Sequence, residues 1–327
     1  MKRTLISLAL FAGVAANANA QLNNTNLTLC GASPGGMWSL VGTGIDAAVK
    51  AAYPGSAVTY QTSSGGPANV MQVKLGRCDI GIANDGDLAA ANEGKKPFRQ
   101  PVKDMQAIGV MFDWLPVMWI ARKDFAEKYG IHSLKDLVEK KPPVRIAFNR
   151  KGLLTSDITD ATLKALGVTA KDIESWGGSI QYQASGEQAS LMQDGRVDLI
   201  GNTIFEGHSS LMEMAMSVDM VMLQTPPEAA EPVIKQFYLK PWTIKANKHP
   251  WQTEDIQTVT TSIVLFADKK MSEQTAYALT KALIQHPDRI RGVSKAMEPF
   301  QPKVMIDQRV VPFHPGAIKA YKEAGLM

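Results

Sequence analysis

The residues best suited to chemistry sit in turns. Ser33-Pro34-Gly35-Gly36-Met37-Trp38, Ser63-Ser64-Gly65-Gly66 and Thr155-Ser156 each come between a β-like run and a helix-like one. A helix start leaves backbone N–H groups unpaired and carries partial positive charge, so each turn suits a carboxylate. Gly35 and Gly36 clear the approach, while Ser63 and Ser64 add hydroxyls beside Gly65 and Gly66. The plainer reading is that a glycine pair only permits a tight turn and that a single serine only caps a helix. Asn84 with Asp85, and Asn202 with Glu206, place further polar groups at the ends of apolar strands.

The first turn also spells G-x-S-x-G from Gly31 to Gly35, the pattern of a serine hydrolase elbow. The oxyanion hole of such an enzyme needs the backbone N–H of the residue after the nucleophile, and Pro34 has none. The chain contains no H-E-x-x-H, no G-x-x-x-x-G-K and no Cys/His cluster at zinc spacing. The expectation is a binding protein with no catalytic residue, metal or cofactor. The alternatives are an exported hydrolase and a sensor-linked ligand-binding protein.

The elements that position these groups occur twice. Tyr60-Gln61-Thr62-Ser63-Ser64-Gly65-Gly66, a helical run through Met71, Gln72 and Leu75, Gly76-Arg77-Cys78-Asp79 and the strand Ile80 to Asn84 form one copy. Tyr182-Gln183-Ala184-Ser185-Gly186, Leu191-Met192-Gln193, Gly195-Arg196-Val197-Asp198, Leu199-Ile200 and Asn202 form a shortened second. Strand, helix, strand in that order implies parallel pairing, and ligands of open parallel sheets bind outside the strands' carboxyl ends. Two copies predict two lobes whose edges face each other across a cleft.

The strand Leu27 to Ala32 and helix Met37 to Ala52 open the first lobe, and Val144 to Phe148 opens the second. Asn149-Arg150-Lys151-Gly152 then leads to a helix at Ile158 to Leu166, with Thr155 or Ser156 as its N-cap. Arg150 and Lys151 face either an anion or only solvent, the usual fate of such a pair. Gln106 to Ile120 reads as a strand leaving the first lobe, and Val259 to Phe266 as the strand returning. Trp114, near the crossing, either closes over a ligand or packs; Trp38 either stacks on a ligand or covers core. Lys123 to Val138 is amphipathic, and Leu211, Met212, Met214 and Met216 are expected in the core.

Met1-Lys2-Arg3, the apolar run Leu5 to Ala16 and Ala18-Asn19-Ala20 make a secretory signal peptide over 1–20, with cleavage expected after Ala20 and export of the rest. The rest, about 300 residues, suffices for two lobes with proper cores. Its charge falls from +4 to +2 without Lys2 and Arg3, so nothing predicts nucleic-acid binding. The only cysteines are Cys30, inside a predicted strand, and Cys78, at the start of another. Those positions put them at different heights in a parallel sheet, and two buried thiols are expected rather than a bridge.

Taken together, the chain resembles the TAXI family of periplasmic receptors, which serve tripartite ATP-independent periplasmic (TRAP) transporters. The most specific match is the end, from Pro312-Phe313-His314-Pro315-Gly316-Ala317 through Tyr321 and Glu323 to Gly325-Leu326. Gly35-Gly36, Ser63 to Asn69, Ser133 to Leu137 and Thr258-Val259 match in order, whereas Asn149-Arg150-Lys151-Gly152 replaces a frequent Gly-Ser-Gly turn. The resemblance implies an α/β, type II periplasmic-binding-protein fold: two lobes joined by a two-strand hinge. The expected divisions are 21–120 for the first part of lobe 1, 121–254 for lobe 2, and 255–327 returning to lobe 1. It also implies a monomeric receptor that takes a small organic anion, with amino acid and dicarboxylate both open, to the membrane subunits of a TRAP-type transporter.

Overall fold

The computed structural model describes residues 25–32, 34 and 36–327; the expected signal peptide, Ser33 and Gly35 lie outside the described residues. The described strands are β1 (Asn26–Cys30), β2 (Ala57–Gln61), β3 (Ile80–Asn84), β4 (Met105–Arg122), β5 (Arg145–Phe148), β6 (Ser179–Tyr182), β7 (Leu199–Thr203), β8 (Met220–Met222), β9 (Lys240–Ile244) and β10 (Ile256–Asp268). They join in the order β2-β1-β3-β10-β4-β7-β5-β6, with β8 on β4 and β9 on β10. Pairing of β1 with β2 and β3, and of β5 with β6 and β7, is parallel. Among the described residues, no helix is long and apolar enough to cross a membrane.

Each copy of the repeat folds as the same strand–helix–strand unit. The first is β2, helix α2 (Gly66–Lys74) and β3; the second is β6, the helix Ser185–Gln193 and β7. The aspartate of each Gly-Arg-x-Asp turn sets the register of the neighbouring strand. Asp79 N donates to Thr28 O at 3.0 Å, and its carboxylate accepts from Thr28 N at 2.7 Å. Asp198 N donates to Arg145 O at 2.8 Å, and its carboxylate accepts from Arg145 N at 2.9 Å and Nε at 2.8 Å. The side chain thus completes the ladder just ahead of its first strand pair, where a backbone N–H would otherwise lack a partner.

The turn before β3 also brings the cysteines together, contrary to expectation. The register sets Cys30 opposite Gly81, but Cys78 belongs to the bend ahead of β3 rather than to the strand. That bend returns beside β1 through the Asp79–Thr28 pair, leaving the two Cα atoms 5.8 Å apart and the residues joined as a disulfide beneath α2.

Helix α1 (Met37–Ala52) buries Val41, Ile45, Ala48 and Val49 in the core that holds Leu29, Val58 and Ile80. The second lobe has its own core around Trp119, Ile146, Phe148 and Leu199. The stretch from Lys123 forms two helices, Lys123–Tyr129 and Leu134–Lys140, because Gly130 takes a left-handed φ of 63° and Ser133 starts the second with a capping box to Asp136. Leu211 and Met214 are buried, but Met212 and Met216 are 53% and 86% exposed, since their surface helix offers only one stripe to the core. At the C-terminal signature, Ala107 N donates to Pro312 O and His314 N to Ala107 O, both at 2.9 Å. His314 caps the helix Pro315–Glu323 by accepting from Gly316 N at 3.2 Å.

Two strands run between the lobes. The first part of β4 pairs antiparallel with β10, and its second part, Val117 to Ala121, pairs with β7. Threonines bind the crossing together: Thr258 Oγ1 donates to Val117 O at 2.5 Å and Thr260 Oγ1 to Asp113 O at 2.6 Å. A register shift sits between Thr261 and Ile263, and Asp85, at the start of helix α3 (Asp85–Glu93), accepts there from Thr261 Oγ1 at 2.7 Å and Ser262 N at 3.2 Å. The carboxyl group thereby satisfies an N–H at an irregularity in the ladder.

Burial pushes the Asp85 carboxyl up to about 7, against the pull of its hydrogen-bond donors. A raised folded value favours the protonated native state: the stability it contributes is full below about pH 4 and lost as pH rises through about 7. We expect the ligand-free chain to lose stability over that interval, by on the order of 1 to 4 kcal/mol, and Asp85→Asn to shrink the loss in pH-dependent urea unfolding; an undiminished slope would contradict this. Asp198→Ala should lower unfolding free energy by about 2 kcal/mol, and unchanged stability would show that its carboxylate does not hold β5 in register.

Candidate functional site

The carboxyl ends of the parallel strands in both lobes open on one cavity of about 790 Å³. Ala32 follows β1, Ser63 to Ala68 follow β2, Asn84 ends β3 and Asp87 follows it. From the other lobe, Arg150 to Thr155 follow β5 and Thr203 ends β7. Leu115 and Thr261 of the crossing strands, with Trp38, Pro97 and Ile158, complete the lining. This placement follows from topology, because parallel βαβ units put their turns into helices on the same edge.

Four helices begin beside the cavity without a side-chain cap: α1 after Gly36, α2 after Gly65, α3 after Asn84, and Leu154–Ala165 after Leu153. Helices that start elsewhere at Ser133, Thr169 and Ser272 are closed by those side chains. The uncapped starts leave donors and positive dipole ends for a bound group. Gly65 has φ 112°, a conformation that excludes other residues at little less than strain, and a Cβ on Gly66 would collide with the Asp87 carboxylate. Thr155 and Ser156 lie inside the first turn of their helix, which starts four residues earlier than Ile158, so neither is its N-cap.

The two serines of the first-lobe turn differ. Ser63 Oγ lies 2.7 Å from Gly31 O, accepts from Gly65 N at 3.1 Å and meets the Asn69 side chain, which is anchored by donating to Ile82 O at 2.7 Å. It shapes the turn. Ser64 is exposed on the cavity wall. In the second lobe, Ser156 Oγ reaches Arg150 O at 2.9 Å and Leu153 O at 2.8 Å, pinning the cationic loop. Thr155 Oγ1 donates to Thr203 Oγ1 at 2.7 Å. Lys151 Nζ stands 4.4 Å from the Tyr182 ring centroid, which leaves its charge without a carboxylate there.

Of the residues singled out from sequence, Trp38, Ser63, Ser64, Gly65, Asn84 and Thr155 line the cavity. Gly36 is the N-cap of α1, and Met37 packs on the first-lobe core. Asp85 serves the crossing, Ser156 the loop, and buried Asn202 a network with Asn149, Ser185 and Gln188. Trp114 lies outside the lining: its Nε1 donates to Ala296 O at 2.7 Å while its ring packs on the first-lobe core. Glu206 also lies outside, paired with Lys248 at 3.5 Å. Arg150 and Lys151, for which the sequence left both an anion and solvent open, line the cavity, as does Asp87 just past the carboxyl end of β3.

Comparison with solved structures gives the same architecture. The periplasmic binding protein BugD superposes with a TM-score of 0.51 at 15% identity, covering 92% of this chain and 97% of that one. A TctC solute-binding protein from Polaromonas, solved with no ligand, gives 0.51 at 11% identity over 92% and 96%. MatC from Rhodopseudomonas palustris, with bound malate, gives 0.50 at 16% identity over 86% and 93%. Identities this low carry the fold, which is that of type II periplasmic binding proteins, and not the cargo. A family model described as NMT1-like matches residues 29–325. The chain belongs to the NMT1-like family.

Proposed function

We propose that this chain is a periplasmic solute receptor that holds a small organic anion between its lobes and delivers it to the membrane subunits of a TRAP-type transporter. The observation that carries the reading is the cavity itself: Ser64, Gly65 and the start of α2 on one side, Arg150, Lys151 and the start of Leu154–Ala165 on the other. Binding needs no reacting group, only donors and charge presented by both lobes. A carboxylate gripped from both sides favours the closed arrangement, because a ligand shifts a conformational equilibrium by its difference in affinity for the two states. The closed form then offers the membrane subunits a surface that the open form lacks. The signal-peptide pattern at residues 1–20 supports export, and the closing Pro312 to Leu326 signature supports the TAXI assignment. MatC, which shares the fold, was solved with malate, a carboxylate.

A thermal-shift panel of amino acids, keto acids, dicarboxylates, aromatic acids and sugars tests the reading on the chain from residue 21. A ligand present at about 100 times its Kd adds about 2.7 kcal/mol to stability, so a carboxylate should stand out and be recovered unchanged. Stabilisation by sugars alone, or turnover of the compound, would overturn the proposal. Arg150→Ala should weaken the carboxylate about tenfold or more, the weight of one charge-assisted hydrogen bond. Ser64→Leu should weaken it with the fold intact, and full affinity in both variants would remove these turns from the site.

A further inference from the structure

The cationic loop of the second lobe rests on a network of amides and hydroxyls. Its hub is Asn202, near the end of β7, which is 1% exposed and lies beneath the cavity lining rather than in it. The Asn202 Nδ2 donates to Ser185 Oγ at 3.0 Å and to Gln188 Oε1 at 2.7 Å, both on the helix Ser185–Gln193. Its Oδ1 accepts from Thr203 N at 2.9 Å and from Asn149 Nδ2 at 3.1 Å, with Thr155 Oγ1 at 3.3 Å. One buried side chain therefore joins the ends of β5 and β7 to two helices. Such an amide fixes its neighbours, because losing any one bond strands a polar group away from water.

Asn149 carries that anchorage to the cavity. While its Nδ2 donates to Asn202, its Oδ1 accepts from Arg150 N at 2.8 Å, and the Arg150 carbonyl is held in turn by Ser156 Oγ at 2.9 Å. Both backbone groups of Arg150 are thus fixed by side chains of its own lobe, while the residue itself is exposed on the cavity wall. A guanidinium whose stem is already aimed loses less freedom on binding an anion. Lys151, by contrast, is steadied through its own ammonium by the Tyr182 ring. The first lobe builds its turn on a buried asparagine too: Asn69 donates to Ile82 O and meets Ser63, which accepts from Gly65 N. Asn69 comes from helix α2 and Asn202 from strand β7, so repetition of sequence does not account for the shared arrangement.

Building on the receptor reading, we infer that Asn149 and Asn202 are positioning residues for the solute's acidic group. They touch no solute and act through Arg150, whose guanidinium they hold toward the anion in the cleft. Affinity then depends on side chains that the cavity wall conceals.

Two measurements on the chain from residue 21 test this. In the ligand-free protein, hydrogen exchange read by mass spectrometry should show the backbone from Arg150 to Leu153 exchanging several-fold faster in Asn149→Ala, while the turn from Ser63 to Gly66 keeps its rate. In calorimetry with malate, succinate, 2-oxoglutarate and the other carboxylates of the panel, Asn149→Ala should weaken the tightest of them about threefold to tenfold, the weight of one hydrogen bond. In an Arg150→Ala background the same change should cost under about twofold, whereas it should add in full to Ser64→Leu, on the other lobe. Asn202→Ala should act in the same direction; if that buried change prevents folding, the half-buried Asn149 carries the test. An Asn149→Ala loss as large without Arg150 as with it, or an unchanged exchange rate in the loop, would overturn the inference and leave the receptor reading standing. Failure of every carboxylate in the panel to bind would overturn both.

Discussion

The antiparallel pairing of β4 with β10, from Met105 opposite Asp268 to Pro116 opposite Thr260, is the constraint on which the rest of the architecture depends. Both strands continue past that ladder into the second lobe, β4 onto β7 and β10 onto β9. Continuous strands through both lobes make their relative placement a property of backbone hydrogen bonding rather than of a loop. The parallel strands on either side therefore end toward the same cavity. Thr258 and Thr260 bond their hydroxyls to β4 carbonyls, and Asp85 takes the Ser262 N–H at the register shift. Lys240 Nζ, on β9, adds ion pairs to Asp113 at 3.3 Å and Asp307 at 2.6 Å beside the crossing. The polar residues here hold the connection in place while the apolar residues fill the two cores.

Much of this was legible because it depends on order and periodicity. The repeat of strand, turn, helix and Gly-Arg-x-Asp has a direct physical cause: each aspartate accepts a backbone N–H of the neighbouring strand where its ladder begins. Parallel order then places Ser64, Gly65 and Asn84 at the cavity from position alone. The failures share a different cause. Trp114 was placed near the crossing, but its ring orientation depends on Ala296, distant in sequence. The Cys30–Cys78 bridge depends on a bend whose path is set by a side-chain contact, not by strand register. Thr155 and Ser156 resemble caps in composition, yet a loop pinned by Ser156 lets the helix begin before them. Arg150, Lys151 and Asp87 were charged residues at turns, where exposure is the ordinary fate, and only the meeting of the lobes gives them a common space.

The site's electrostatics divide between the backbone and a few side chains. Uncapped helix starts supply fixed partial charge that no rotamer change removes, and Arg150 and Lys151 add full charges on a loop of the opposite lobe. A group held by both should couple binding to closure, since the open form satisfies one set at a time. Contacts already cross the seam behind the cavity: Tyr238 hydrogen-bonds Glu93, and a Cβ on Gly86 would lie 2.9 Å from the Phe237 carbonyl oxygen. The lobes are thus in contact at these residues, and movement that admits a solute must leave or break these contacts.

Closure of the two lobes around a bound solute is the central claim, and an inter-lobe distance measures it directly. Spin labels attached to cysteines introduced at exposed Lys50, on α1, and exposed Lys171, on the second lobe, would report that distance by pulsed electron paramagnetic resonance. Saturating the chain with the carboxylate that stabilises it most should shorten and narrow the distance distribution. A distribution unchanged by a solute that demonstrably binds would contradict the account.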